Sequence, residues 1–144
     1  MNQHPFSWPV RVYYEDTDTG GIVFYANYLK FFERARTEWL RSGGVEQSNL
    51  AKQHGVMFVV ARTALDYHAP ARLDDALRLW VTVEKSGRAS VEFLQQAWRE
   101  QPSAPPLLLA TGRIKVACVR VRDFKPCPIP EQVLQLLQSA RMPG

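Results

Sequence analysis

Between Asn27 and Arg41, Tyr28, Phe32, Ala35 and Trp39 recur at helical spacing, while Lys30, Arg34, Glu38 and Arg41 form the opposite stripe. This pattern predicts an amphipathic helix of about four turns, stopped by Ser42-Gly43-Gly44. Leu29, Phe31 and Leu40 flank the main face, so the helix is apolar over more than one narrow stripe and must be wrapped by the rest of the chain. The rest is of β type. From Met57 onward, segments near 57–68, 76–85, 89–99 and 107–121 are separated by turn chemistry at Ala69-Pro70, Ser86-Gly87 and Pro102 to Pro106. Leu77, Leu79, Val81 and Val83 against Arg78 and Thr82 give the clearest alternation. The last three segments have short connections, which favours an antiparallel meander over βαβ units. A first short strand is expected where Val10, Val12 and Tyr14 alternate with Arg11 and Tyr13. Short helices are expected at about Glu46 to His54 and Gln132 to Ala140. The sum is an α+β chain, with a curved antiparallel sheet of about five strands around one long helix.

With 144 residues and 46% hydrophobic content, the chain fits one domain, 1–144, with a single core. No apolar run approaches the roughly 18 residues of a membrane span. The opening Met-Asn-Gln-His-Pro-Phe-Ser-Trp-Pro has neither the cationic start nor the apolar core of a signal peptide, so a cytoplasmic location is expected. Cys118 and Cys127 are too few for a disulfide framework and sit in no metal-ligand spacing; reduced, inert thiols are expected. The net charge of +4 is spread among carboxylates. It argues mildly for an anionic ligand, and a phosphate-bearing small molecule suits it better than nucleic acid.

Chemistry concentrates in Asp16-Thr17-Asp18-Thr19-Gly20-Gly21-Ile22-Val23-Phe24-Tyr25-Ala26-Asn27-Tyr28. A carboxylate follows a strand, a glycine pair makes a tight turn, and the long helix begins. The first backbone N–H groups of a helix lack intrahelical partners and lie at the positive end of its dipole, where they can hold the oxygen of a polarised carbonyl. A carboxylate beside such donors could hydrolyse an activated acyl group. The bland alternative is that Asp16 and Asp18 only cap turns and the helix. Asp18-Thr19-Gly20 matches the aspartic-protease triplet, but Glu15-Asp16-Thr17 stands where an apolar strand is needed. A phosphatase reading lacks the doubly wound domain, and a calcium loop fails at Gly20 and Asn27.

Here the sequence resembles the 4-hydroxybenzoyl-CoA thioesterase group of hotdog proteins, most closely the YbgC-type acyl-CoA thioesterases linked to the bacterial Tol-Pal system. The resemblance rests on Val12-Tyr13-Tyr14-Glu15-Asp16-Thr17-Asp18, on Gly20-Gly21-Ile22-Val23 and Asn27-Tyr28, and on Phe32-Glu33-Arg34-Ala35-Arg36-Thr37-Glu38. A second stretch is Tyr67-His68-Ala69-Pro70-Ala71-Arg72-Leu73-Asp74-Asp75. It implies a hotdog domain that forms a homo-oligomer, a dimer with joined sheets or a tetramer, and hydrolyses acyl-CoA to free acid and coenzyme A at subunit interfaces. Asp18 is then the catalytic carboxylate, as nucleophile or general base, and the backbone N–H of Tyr25 polarises the thioester carbonyl, with Gly21, Ile22 and Val23 beside the substrate. YbgC-type members often carry His at the position of Tyr25, whereas the hydroxybenzoyl-CoA enzymes place Tyr there; the backbone role is the same.

Thioesters suit this minimal equipment, because a thiolate leaves without strong protonation. The sequence carries no nucleophile-elbow, metalloprotease or phosphate-loop motif, and no cofactor or metal is expected. His68 and His54 read as surface or packing residues, and Asp74-Asp75 as a turn. For the phosphates of coenzyme A, Lys85, Arg88 and Ser90 offer two cations and a hydroxyl on one hairpin, with Arg62 and Arg113 as alternatives. An acyl-carrier-protein thioester is a second possible substrate, since it presents the same phosphopantetheine arm. A non-catalytic acyl-CoA-binding module is the alternative of another class, which the intact Asp18 argues against.

Overall fold

A computed structural model describes residues 5–140; His4 and the two extreme ends of the expected 1–144 domain lie outside the described residues. The strands are β1 (Phe6–Arg11), β2 (Val56–Tyr67), β3 (Ala76–Ser86), β4 (Ser90–Arg99) and β5 (Leu107–Arg120). The helices are α1 (Asn27–Ser42), α2 (Gln47–His54) and α3 (Glu131–Ser139). The strands form one antiparallel sheet in the order β1-β3-β4-β5-β2. The β3-β4-β5 meander is as the short connections required.

Alternation decides the faces. Leu77, Leu79, Val81 and Val83 on β3, with Val91, Phe93 and Ala97 on β4, turn inward and are buried. Tyr28, Phe31, Phe32, Ala35, Trp39 and Leu40 of α1 meet them. Leu29, expected to flank that face, instead stands exposed. The sheet wraps only one side of the helix, and Leu29 falls on the other. Gly112 of β5 lets the helix approach: a Cβ there would lie 2.9 Å from both Phe32 Cε2 and Leu65 Cδ2. Gln95, completely buried, links the layers by donating from Nε2 to the Phe32 carbonyl (2.9 Å) and accepting at Oε1 from Arg36 (2.9 Å).

The helix ends as its glycines predict. Gly44 adopts φ +81°, its N–H bonds to the Arg41 carbonyl, and the Val45 N–H reaches back to Leu40. A side chain at Gly43 would collide with Leu136 of α3, which seals this end of the core through Val133 and Leu137.

The first strand differs from expectation. It spans Phe6–Arg11, and Tyr14–Asp16 form a 3-10 turn instead of its end. Pro9 lies within β1, which is an edge strand, where a residue without an N–H is tolerated. The alternation through Tyr14 misled because only Val12 of that stretch is buried; Tyr13 and Tyr14 project outward.

Candidate active site

The chain leaves β1 through Val12, which is clamped to the turn at Asp74-Asp75: its N–H bonds to the Asp75 carbonyl and its carbonyl accepts from Asp74 N–H, both at 3.0 Å. Asp16 follows with only 5% of its surface exposed. Its Oδ2 accepts from Tyr13 N–H (2.8 Å) and its Oδ1 from Asn27 Nδ2 (2.9 Å), while its backbone carbonyl accepts from Phe24 N–H (2.9 Å). One buried carboxylate thus fixes the 3-10 turn to the first residue of α1. The sequence placed Asp16 among possible turn caps; the role of Asn27 as its partner was not anticipated.

Asp18 is exposed, on a tight turn closed by the Thr17–Val23 bridge. Its N–H donates to the Ile22 carbonyl (2.9 Å), its carbonyl accepts from Gly21 N–H (3.1 Å), and its Oδ1 accepts from Gly20 N–H (2.8 Å). Gly21 sits at φ +81°, which a side chain would resist. The turn therefore holds one carboxylate oxygen and leaves Oδ2 without a partner among the described residues. Val23 N–H donates to the Ala71 carbonyl (2.8 Å), and Ile22 bridges Arg72. The second stretch of the resemblance is thus the seat of this loop. Arg99 adds to it, bonding the Pro70 carbonyl (3.2 Å) and pairing with Asp75 (3.5 Å).

The donors at the helix start differ in one respect from the expectation. The first amides of α1, those of Asn27, Tyr28 and Leu29, bond back to the carbonyls of Phe24, Tyr25 and Ala26 at 2.8, 3.4 and 3.1 Å. The unpartnered N–H groups are those of Tyr25 and Ala26, which donate to no acceptor among the described residues. Because a trans peptide sets N–H opposite C=O, and the carbonyls of Phe24 and Tyr25 point into the helix, both free N–H groups point out of its start. Around them stand Phe24, Tyr25, Tyr28 and Tyr67, with ring centroids 4.7–6.2 Å apart. Burial raises the Tyr28 phenol above its ordinary value.

Lys85, Arg88 and Ser90 lie elsewhere. Arg11, at the site's end of β1, pairs with Ala76, whereas the 85–90 hairpin closes the far end of β3. Ten residues at about 3.3 Å each put some 30 Å between them, so one chain does not bring this hairpin to its own Asp18. Its backbone is held by Gly87 N–H to Ser90 (2.7 Å) and by Ile129 N–H to Arg88 (2.9 Å). Lys85 and Arg88 are exposed and form no ion pair among the described residues, whereas Arg62 and Arg113 are paired with Glu92 and Glu84. His68 packs its Nε2 3.0 Å from Thr111 Oγ1, and His54 ends α2. Cys118 and Cys127 are buried free thiols 3.7 Å apart; burial, then the neighbouring thiol, pushes Cys118 up to about 12. No helix among the described residues is long and apolar enough to cross a membrane.

Residues 20–105 match the thioesterase superfamily. The chain is 44% identical over 133 residues to the acyl-CoA thioesterase YbgC of Haemophilus influenzae, covering 92% of this chain and 94% of that protein. A crystal structure of a hypothetical protein from Aquifex aeolicus superposes with TM-score 0.82 at 30% identity, over 92% of this chain and 99% of that one. A 4-hydroxybenzoyl CoA thioesterase mutant, complexed with 4-hydroxybenzoyl CoA, superposes with TM-score 0.85 over 92% and 97% of the chains. At 17% identity that likeness concerns the fold alone. The α+β architecture is the hotdog fold of these thioesterase structures.

Proposed function

The chain belongs to the thioesterase superfamily, and on that premise we propose that it hydrolyses acyl-CoA thioesters with Asp18 as the reacting carboxylate and the amide of Tyr25 as oxyanion donor. The observation that carries this reading is the pairing, on one short loop, of a turn-fixed carboxylate having a free oxygen with unpartnered amides aimed out of the helix start. A thioester carbonyl on the Tyr25 N–H becomes more electrophilic, and that donor strengthens its hold as negative charge develops on the oxygen.

Two routes then conserve atoms. In one, an Asp18 oxygen adds to the carbonyl carbon, the C–S bond breaks to release coenzyme A as thiolate, and water cleaves the resulting anhydride to regenerate Asp18. In the other, Asp18 takes a proton from water, the hydroxide adds, and collapse of the tetrahedral adduct expels the thiolate, which receives that proton. Gly21, Ile22 and Val23 form the rim beside the reacting group.

The working form is a homo-oligomer. β2 ends the sheet, and its 12 residues offer a long edge with no partner among the described residues, which a second copy can occupy. Two-fold pairing of β2 with itself is antiparallel and reverses the partner's sheet. The 85–90 hairpin of one copy then lies at the same rim as Asp18 of the other. On this arrangement Lys85, Arg88 and Ser90 meet the nucleotide phosphates of a coenzyme A whose thioester lies at the other subunit's loop; pairing of dimers gives a tetramer. The setting is cytoplasmic and, as the resemblance implies, beside the Tol-Pal system.

The direct test of the activity is thiol release across short, long and aromatic acyl-CoAs and an acyl-carrier-protein thioester. Turnover of a CoA thioester supports the reading. Turnover of the carrier-protein thioester alone moves the substrate to that class, and binding without turnover reduces the protein to a module that holds acyl-CoA.

A further inference from the structure

Tyr67 ends β2, 42 residues from Tyr25, yet its hydroxyl donates to the Tyr25 carbonyl at 3.1 Å. Its helical bond from Tyr28 N–H is long, at 3.4 Å, so the Tyr67 hydroxyl is the nearer of that carbonyl's two donors. The carbonyl belongs to the same peptide unit as the Ala26 N–H, one of the two unpartnered amides. A hydrogen bond at the oxygen of a planar peptide fixes the plane and polarises the N–H at its other end. The carbonyls of Phe24 and Tyr25 both accept bonds from the helix, from the N–H groups of Asn27 and Tyr28, so the amides at the other end of those two peptides, Tyr25 and Ala26, point the same way, out of the helix start. The rings reinforce the placement: Tyr67 packs edge-on against Tyr25 (6.2 Å) and tilted on Tyr28 (5.6 Å).

We propose, building on the thioesterase reading above, that the oxyanion site has two prongs, the amides of Tyr25 and Ala26, and that Tyr67 is the positioning residue that orients and strengthens the second. Tyr67 touches no reacting atom in this role; it acts through the Tyr25–Ala26 peptide. Burial, then the neighbouring Tyr25, raises its phenol above the ordinary value, so it stays a protonated donor throughout the neutral range. The Tyr67 stretch of the sequence thereby gains a reason beyond seating the loop.

Tyr67→Phe keeps the ring and removes only the donor. Since deleting an oxyanion donor outright costs roughly 10²–10³ in kcat, loosening and weakening one of two should cost less, about 5- to 30-fold. KM for acyl-CoA should stay within about twofold, because the loss falls on the transition state. A second readout follows the carbonyl itself. With the thioester labelled at the carbonyl carbon and held uncleaved by Asp18→Asn, its bound stretching band should move back toward the free-solution frequency when Tyr67→Phe is added. An unchanged kcat, a loss confined to KM, or an unmoved carbonyl band overturns the proposal. Activity retained by Asp18→Asn instead removes the thioesterase reading of the loop, so the two failures are distinguishable.

Discussion

Replacing Asp16 with Asn tests whether the Asp18 loop is built on a buried anchor. The carboxylate accepts two hydrogen bonds, from Tyr13 N–H at 2.8 Å and Asn27 Nδ2 at 2.9 Å, and both donors are satisfied by nothing else among the described residues. An Asn side chain can accept only on its oxygen. Its amide then faces a second donor, leaving one buried N–H unsatisfied and close to another. Hydrogen bonds to a charged group contribute about 1.5–3 kcal/mol each, and an unsatisfied buried donor costs about 1–3 kcal/mol, so the variant should lose about 2–4 kcal/mol. For a domain of this size that is a fall in Tm of roughly 5–15 °C. Urea unfolding and calorimetry read the loss directly. The swap Asp16→Asn with Asn27→Asp restores complementarity, since the new amide can donate to the new carboxylate while its oxygen keeps the Tyr13 N–H. A double-mutant cycle should therefore show recovery of about 1 kcal/mol or more. Asp16→Asn within about 0.5 kcal/mol of the parent, or a swap no better than the sum of its parts, would refute the anchor. Its rate per folded molecule should fall far less than that of Asp18→Asn.

Three further outcomes follow from the same structure. Gly112→Ala forces a Cβ to within 2.9 Å of Phe32 and Leu65, and the overpacking should cost about 1–3 kcal/mol in urea unfolding; an unchanged midpoint would mean the helix is not tightly seated there. Lys85→Ala with Arg88→Ala should raise KM for acyl-CoA far more than it lowers kcat, since remote binding contacts are lost; an unchanged KM would remove the hairpin from the phosphate site. The Cys118 thiol, ordinarily at 9.0 and held at about 12 by burial and Cys127, keeps its proton in the folded chain while the unfolded chain loses it. The unfolded state then binds fewer protons, so stability should fall as pH rises from about 9 to 12. Cys118→Ala should flatten that slope in pH-dependent unfolding, and an equal slope in both proteins would assign it elsewhere.

The helix, the four later strands and their meander were legible because their periodicities are strong and glycine or proline marks their ends. Those bounds fall within a residue or two of the structure. β1 was expected from the alternation of Val10, Val12 and Tyr14 but lies at Phe6–Arg11, because beyond Val12 the chain turns into the 3-10 segment Tyr14–Asp16. In the site, the tight turn that carries Asp18 was legible through the glycine pair. The opposite fates of Asp16 and Asp18 were not, since two carboxylates two residues apart look alike until the 3-10 turn buries one and exposes the other. Tyr67 and Arg99 could be tied to the loop only by tertiary contact, across 42 and 29 residues of chain. The far placement of the 85–90 hairpin likewise emerges from strand length and direction, and not from its basic composition.

The central claim rests on Asp18, and steady-state hydrolysis of acyl-CoA by Asp18→Asn tests it most directly. The amide keeps the size of the side chain and an acceptor for Gly20 N–H, but it can neither attack nor take a proton. kcat should fall by on the order of a hundredfold to ten-thousandfold, with acyl-CoA binding largely kept. In the active parent, a single turnover in isotope-labelled water bears on the route: label entering the Asp18 carboxylate marks the nucleophile, whereas the general base sends label only to the product acid. Near-full activity in a normally folded Asp18→Asn protein would contradict the catalytic account of the loop.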